Sequence, residues 1–436
     1  MKSNLPKVLH PVAGQPMISR IVNCAKAAGA TEIRVVVGVG ENLVRQVVEP
    51  LGAVCFKQAE QRGTADAVRA AQASSLTGTV LILNGDHPLI TTEDIHRVLE
   101  DYFNSQGGIT LATAKLKKPG ALGRVVRDGG NLRAIVEAKD ASSETLKIRE
   151  VNTGIYALDA KLLNQVLPHI GSTNAQNEFY LTDMVGLAIE NKIPVSGLRL
   201  PARVAMGVNS QEELAFASRR IFYRNAKNLM AEGVVFIDPR ATYVEDSVKI
   251  GAASVIYPGA YIRGATQMGS FCVIEPNCFL NSVTLEDSVH VLGGSYLENC
   301  VLRTKSVVGP YARIRPETEI GAGARVGNFV ELKKVKFGAG AKASHLTYLG
   351  DAEIGENTNI GCGTITCNYA VDKNKYLTKI GKDVFVGSDS QFVAPVTVGD
   401  GAIIGSGSTI TKDVPAKALA VARARQVNIE NYKPKK

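Results

Sequence analysis

Beginning at residue 380, the chain reads IGKDVF VGSDSQ FVAPVT VGDGAI IGSGST ITKDVP. Ile380, Val386, Phe392, Val398, Ile404 and Ile410 recur every six residues, and four of them are followed directly by glycine. Neither an amphipathic helix nor a simple strand has that period. It predicts a parallel β-helix, with three hexapeptides to a triangular coil, the aliphatic residue inside and Gly, Asn, Asp or Ser turning the corners. A coil buries its inner face only against its neighbours, so the array has to be long and capped. The register extends through Ile320 and Val326, through Ile354 and Ile360, and less regularly back to about Tyr243. KASHLTYLGD (342–351) interrupts it and reads as a loop or seam.

Residues 1–200 have a different rhythm, in which short apolar runs alternate with helical patterns, as in an α/β domain around a mostly parallel sheet. Strands are predicted at 32–37, 79–83, 109–114 and 151–157, and helices at 16–28, 64–74, 92–103 and 181–190. Doubly wound folds open with a central strand whose loop cradles phosphate, whereas this sequence opens with a polar loop and a helix. Residues 210–231 predict one long connecting helix. Ser210 and Glu213 form its capping box, Leu214, Ala217 and Ile221 share a face, and Gly233 ends it.

The 436 residues suit two or three domains. No apolar run approaches the roughly 20 residues that span a bilayer, and MKSNLPKVLH lacks a signal-peptide core, so no membrane insertion and a cytoplasmic location are expected. The seven cysteines are odd in number and include no CxxC pair, and they read as buried thiols. Cys272 and Cys278 are six apart, which suits equivalent positions on successive faces. The net charge of +9 raises the possibility of nucleic acid, but no basic run is interleaved with aromatics and the one dense cluster is the terminal KPKK. Anionic small molecules fit better, and nucleic acid is not expected as a partner.

Three loops carry candidate chemistry in the first domain. LPKVLHPVAGQPM (5–17) holds a single lysine before a helix, AEQRGTADAV (59–68) places Gly63 and Thr64 at a helix start, and LNGDHPL (83–89) puts Asp86 at the C-terminal end of a strand. Open α/β sheets bind ligands and metals at that edge. Taken singly, Lys7 is as well a solvated lysine and Asp86 a turn cap; together the loops point to a nucleotide. In the β-helix, His345 is the one histidine after His290. A lone histidine is commonly inert, but Arg315, Lys333, Tyr348, Asn359, Asn368 and Tyr369 crowd the same few coils, beyond what a structural prism needs.

With GRVVRD, IVEAKDA and EVNTGIY, these loops resemble the sugar-nucleotide pyrophosphorylase fold. VGNFVELKKVKFGAGAKASHLTYLGDAEIG and GTITCNY resemble the acetyltransferase half of the bacterial bifunctional N-acetylglucosamine-1-phosphate uridyltransferase and glucosamine-1-phosphate acetyltransferase family. The resemblance spans essentially the whole chain. It implies a Rossmann-like α/β nucleotidyltransferase domain at 1–208, a connecting helix at 209–233, a left-handed parallel β-helix acetyltransferase domain at 234–415, and a basic tail at 416–436. It further implies that Lys7 contacts the phosphates of UTP, that Gln58, Gly63 and Thr64 hold the uracil, and that Asp86 and Asn209 bind Mg²⁺. Gly123, Glu137 and Asn152 would hold the N-acetyl sugar; taken without the resemblance, Asp86 reads as well as a turn cap, Glu137 as a surface charge on a strand and Asn152 as the end of a sheet edge.

In the β-helix the resemblance makes His345 the base of acetyl transfer, a role that imidazole chemistry suits near neutral pH, with Glu331 as a candidate orienter. Arg315, Lys333, Tyr348 and Asn359 would bind glucosamine 1-phosphate. Asn368, Tyr369, Ser388, Ser406 and Arg423 would line the acetyl-CoA groove. The loop NYAVDKNK (368–375) is a residue shorter than in relatives, which gives Lys375 the place of their loop lysine. A homotrimer is expected, because faces of neighbouring prisms would enclose CoA better than one prism. Two features depart from the resemblance: the family's leading strand and Gly-rich G-x-G-T-R loop would fall just before Met1, which leads us to expect weak uridylyl transfer, and Asn84 stands where relatives can carry Tyr. The competing reading is a sugar-phosphate nucleotidyltransferase whose β-helix is only an oligomerisation or regulatory module; a non-enzymatic trimeric scaffold is a third.

Overall fold

The computed structural model describes residues 1–105 and 108–434, so Lys435 and Lys436 of the basic terminal cluster lie outside the described residues. The chain divides into two compact units, Met1–Ile221 and Phe222–Lys436.

In the first unit the predicted strands and helices form, with ends moved by a residue or a few. The strands are β1 (Arg34–Val37), β2 (Val54–Lys57), β3 (Thr79–Ile82), β4 (Ile109–Lys115), β5 (Arg124–Asp128), β6 (Asn131–Val136), β7 (Glu150–Asp159) and β8 (Val195–Arg199). A six-stranded sheet has the order β8-β4-β7-β5-β6, with β3 also paired to β7, while β1 and β2 make a separate parallel pair. The expected mostly parallel sheet is corrected here. β7 runs antiparallel to β3, β4 and β5, and β8 on β4 is the parallel pair of this sheet. The cause is connectivity: β7 follows the β5–β6 hairpin instead of a helical crossover, so it enters from the opposite end. Alternation along β4 and β7 feeds two cores. Leu111, Tyr156 and Leu158 pack toward Leu163 and Met184, and Ala112, Ile155 and Ala157 pack toward Ile95 and Val98.

In the second unit a left-handed parallel β-helix begins at Val235–Phe236 and ends at Leu419–Ala420; most strands pair with the one three further along, and the long strands Arg325–Phe337 and Lys342–Ile354 pair with each other. Val244, Ile250, Ile256 and Ile262 open the inward series and Ile404 and Ile410 close it, all within one buried core. Two residues before each comes a small buried residue, such as Ser254, Ala260, Thr266, Cys272 and Cys278, and burial pushes the Cys278 thiol up to about 11. Most coils contain 17 or 18 residues, as the registers Gln267 on Thr284 and Val255 on Val273 show, and the coil that carries the 368–375 hairpin is longer, with Ala352 on Thr378. The 17-residue coils explain the broken period. Inward residues run Ile320, Val326, Leu332, Phe337, Ala343, Leu349, Ile354, so one side of each such coil is five residues long. Residues 342–351 are therefore no loop: they lie in the strand Lys342–Ile354, paired in register with Arg325–Phe337.

From Ala253 to Asp351 each coil turns three corners with a left-handed residue, and many are not the small residues expected. Tyr311, Phe329 and Leu346 have φ of 54°, 56° and 42° at one corner; Glu317, Lys334 and Asp351 have 63°, 55° and 48° at the next. Such a conformation costs roughly 1–2 kcal/mol for a non-glycine residue. Ladder hydrogen bonds on both sides and stacking of Tyr311 on Phe329, with ring centroids 5.7 Å apart, offset it.

Candidate functional site

In the first unit the loops 5–17 and 83–89 meet, joined by Asn209. Lys7 Nζ donates to Asp86 Oδ2 at 2.6 Å and to Asn209 Oδ1 at 2.9 Å, although the three residues are remote in sequence. Lys7 lies in a 3₁₀ turn, Asp86 in the loop after β3, and Asn209 just before the helix Gln211–Ala231. The capping box at the start of that helix forms as predicted: Glu213 N donates to Ser210 Oγ at 3.1 Å and Ser210 N to Glu213 Oε2 at 2.9 Å. Asn209 N also donates to Glu213 Oε2, at 2.7 Å, which fixes its backbone. Two oxygens of hard character thus face one cation, a donor set that fits a small divalent ion sharing substrate phosphates. The sequence reading passed over His87. It is buried, burial holds its imidazole below the usual range, and its Nδ1 lies 3.1 Å from Val204 O.

Gln58 Nε2 donates to Asp66 Oδ2 at 2.8 Å and reaches Gly63 O at 3.4 Å. Gly63 has φ of +114°, and a methyl there would stand 2.5 Å from Phe179 O, so the close approach of segment 178–183 needs glycine. Thr64 Oγ1 accepts from Leu181 N at 2.9 Å.

Gly123, Glu137 and Asn152 come together at neighbouring strand ends. Asn152 N donates to Gly123 O at 2.9 Å, and the position of a Gly123 methyl would lie 3.2 Å from Glu137 Oε1. Asn152 Nδ2 donates to the Tyr156 hydroxyl at 2.7 Å. Burial raises the Glu137 carboxyl above its ordinary value, while the Thr182 hydroxyl pulls it down. Asn84, in the same loop as Asp86, places its Nδ2 3.5 Å from Thr153 O, beside Asn152 in the chain.

In the β-helix the site is a corner and a face. The residues before the left-handed ones at the corner of Phe329 and Leu346 are Asn328 and His345; two coils and three coils on, Ser388 precedes Asp389 and Ser406 precedes Gly407. Gly407 N donates to Ser388 O at 2.8 Å, and Arg423 Cδ lies 3.8 Å from the methyl position of Gly407, so Arg423 continues this column. His345 Nδ1 is 2.6 Å from Asn328 Oδ1. An amide oxygen only accepts, so in the neutral ring Nδ1 carries the proton and the lone pair falls on Nε2. Glu331 is not the orienter. Its Oε1 accepts from Arg315 at 2.9 Å, because Glu331 pairs with Tyr348 while Asn328 pairs with His345.

The face after that corner carries Arg315, Lys333 and Tyr348. Lys375 also reaches it: its ammonium lies beside that of Lys333 and holds Lys333 below the usual lysine range. Asn368 Nδ2 donates to Asp351 Oδ2 at the next corner, and exposed Tyr369 bridges to Lys375 across the hairpin that carries this lysine. Asn359 is not brought to this group. It pairs with Lys342 and Phe385 on the face before the His345 corner.

Residues 1–146 match the MobA-like NTP transferase domain, and residues 377–412 match six bacterial transferase hexapeptide repeats. A bifunctional protein GlmU of Bdellovibrio bacteriovorus is 60% identical over 435 residues, covering 100% of this chain and 95% of that protein. The chain belongs to the GlmU family. GlmU proteins of Geotalea uraniireducens and a Geobacillus species are 44% and 43% identical, covering 100% and 99% of this chain and 96% and 94% of theirs. As a GlmU-type chain it is a bifunctional enzyme with acetyltransferase and nucleotidyltransferase activities. The reading of the β-helix as only an oligomerisation or regulatory module, and that of a scaffold, are thereby set aside.

Proposed function

We propose that the corner of His345 is the acetyl-transfer site and that the loops of the first unit form the uridylyl-transfer site. In the first reaction the amine of glucosamine 1-phosphate attacks the thioester carbonyl of acetyl-CoA. The C–N bond forms, His345 Nε2 takes the ammonium proton, and the C–S bond breaks to release the CoA thiolate, which takes up a proton. The observation that carries this reading is the 2.6 Å contact of Nδ1 with Asn328 Oδ1, which in the neutral ring places the lone pair on Nε2. Arg315, Lys333 and Lys375 on the adjoining face suit the sugar phosphate. Ser388, Ser406 and Arg423 on the same corner, with Asn368 and Tyr369 beyond, suit CoA.

In the second reaction N-acetylglucosamine 1-phosphate takes the uridylyl group of UTP, giving UDP-N-acetylglucosamine and pyrophosphate. Gln58, Gly63 and Thr64 would recognise uracil, and Gly123, Glu137 and Asn152 the N-acetyl sugar. Asp86 and Asn209 would hold Mg²⁺, which neutralises charge on the transferring phosphoryl group. Lys7, now bound to both, would contact the phosphates. We read the assembly as a homotrimer: Asn359 and the Arg315–Lys333 group lie on opposite sides of one corner, an arrangement that suits a groove between two prisms. Among the described residues no helix is long and apolar enough to cross a membrane, and a cytoplasmic location suits acetyl-CoA and UTP as substrates.

The test is His345→Ala, expected to lower acetyl transfer by roughly 10²–10⁴-fold, the usual worth of a positioned base, with binding of UDP-N-acetylglucosamine unchanged. An undiminished rate at neutral pH would remove His345 from the mechanism.

A further inference from the structure

Segment 178–183 touches both halves of the uridylyl site. At its nucleotide end Phe179 N donates to Arg62 O at 2.8 Å and Phe179 O accepts from Ala65 N at 2.9 Å. The guanidinium groups of Arg62 and Arg69 lie 5.2 and 4.5 Å from the Phe179 ring centroid, and Leu181 N donates to Thr64 Oγ1. At its sugar end the Thr182 hydroxyl, 6% exposed as a residue, donates to Glu137 Oε1 at 3.1 Å. One short segment thus carries contacts to the candidate uracil residues and to the candidate sugar carboxylate.

We propose that Thr182 is a positioning residue for uridylyl transfer. Its hydroxyl fixes Glu137 Oε1 and leaves the second carboxylate oxygen to accept from a hydroxyl of the N-acetylhexosamine. Through Phe179 and Leu181, it also holds that carboxylate at a set place relative to the nucleotide pocket. The inference rests on the reading of Glu137 as a sugar-binding residue.

The electrostatic setting gives Thr182 a second task. Burial, Asp183 and Asp140 all favour the neutral Glu137 carboxyl, and the Thr182 hydroxyl and the Arg124 guanidinium favour the ionised form. The phenols of Tyr156 and Tyr180, raised chiefly by burial, face the same charge. An ionised carboxylate binds a sugar hydroxyl more strongly than a neutral carboxyl does. Removing a donor to the charged form raises the pKa, so without the Thr182 hydroxyl sugar binding should fail at a higher pH.

The experiment titrates the full chain with UDP-N-acetylglucosamine and, separately, with UDP. Thr182→Val is expected to weaken UDP-N-acetylglucosamine about tenfold while leaving UDP unchanged, as for loss of one hydrogen bond to a charged group. The acidic fall in affinity should begin at higher pH, and Thr182→Ser should restore both. Unchanged affinity in Thr182→Val would overturn the proposal, as would equal weakening of UDP, which marks a merely structural role or a misfolded unit. Glu137→Gln separates the two claims. If it leaves UDP-N-acetylglucosamine binding intact, the sugar-site reading itself falls and the inference with it; if it weakens binding and Thr182→Val does not, only the role of Thr182 falls.

Discussion

In the β-helix, Asn328, His345, Ser388 and Ser406 share one corner because each precedes a left-handed residue in its coil. In the α/β unit, Lys7, Asp86 and Asn209 meet although they come from a 3₁₀ turn, a strand end and a helix start. The first arrangement is a translation: a residue's place follows from its distance to the next corner, and its neighbour is the residue one coil away. The second is a knot of individual contacts, each with its own cause. A local change in the β-helix should therefore propagate along the column, and one in the α/β unit should stay with the side chains it touches.

The largest expected effect tests the column. Gly321, Gly338 and Gly355 face each other across successive coils, and a methyl on Gly338 would stand 2.6 Å from the carbonyl carbon of Gly355. That contact is backbone, so Gly338→Val must push coils apart. Overpacking of this kind costs about 3 kcal/mol or more. Calorimetry should show a lowered β-helix transition with loss of acetyl transfer, while UDP binding persists. A β-helix transition at the parent temperature would break the comparison.

The same contrast decides what could be read from the sequence. The six-residue period made the β-helix, its aliphatic interior and the equivalence of Cys272 and Cys278 legible, because each inward residue repeats one environment. It misled at 342–351, where a five-residue side mimics a break. Asn328 was missed for the same reason: with the 17-residue coil in hand, counting back from His345 lands on it, whereas Glu331 was chosen on chemistry alone. In the α/β unit the runs marking β3, β4 and β7 were legible, but not the direction of β7, which depends on the hairpin before it. Thr182 lay next to a predicted helix start with nothing local to tie it to Glu137.

A smaller effect concerns the cationic face. Lys375 enters from a hairpin outside the repeat, so it is the one member of the phosphate group not placed by coil register. Lys375→Met should raise the KM for glucosamine 1-phosphate roughly tenfold, the order expected for one charge-assisted hydrogen bond. The Lys333 ammonium, relieved of its neighbour, should titrate higher by NMR. An unchanged KM would show that the register-placed residues suffice.

The smallest effect concerns acid stability and the knot-like wiring of the α/β unit. Burial pushes the Glu150 carboxyl up, but hydrogen bonds from Arg127 at 2.7 and 3.0 Å and from Thr113 at 2.7 Å outweigh it and hold the group at about 2, against an ordinary 4.5. A depressed carboxylate contributes stability that is present above its unfolded value and lost as pH falls from about 4.5 through about 2. Arg127→Met leaves Thr113 and Arg199 in place and narrows that window, so the acid-unfolding midpoint of the α/β unit should rise by about half a pH unit. In the β-helix, Glu286, Arg303 and Glu319 form a chain of ion pairs that is largely open to solvent. Pairs of that kind contribute little, and Glu286→Gln should leave the acid midpoint of its unit where it was. Equal shifts from the two substitutions would mean that the α/β unit depends on this network no more than the β-helix depends on its surface pairs.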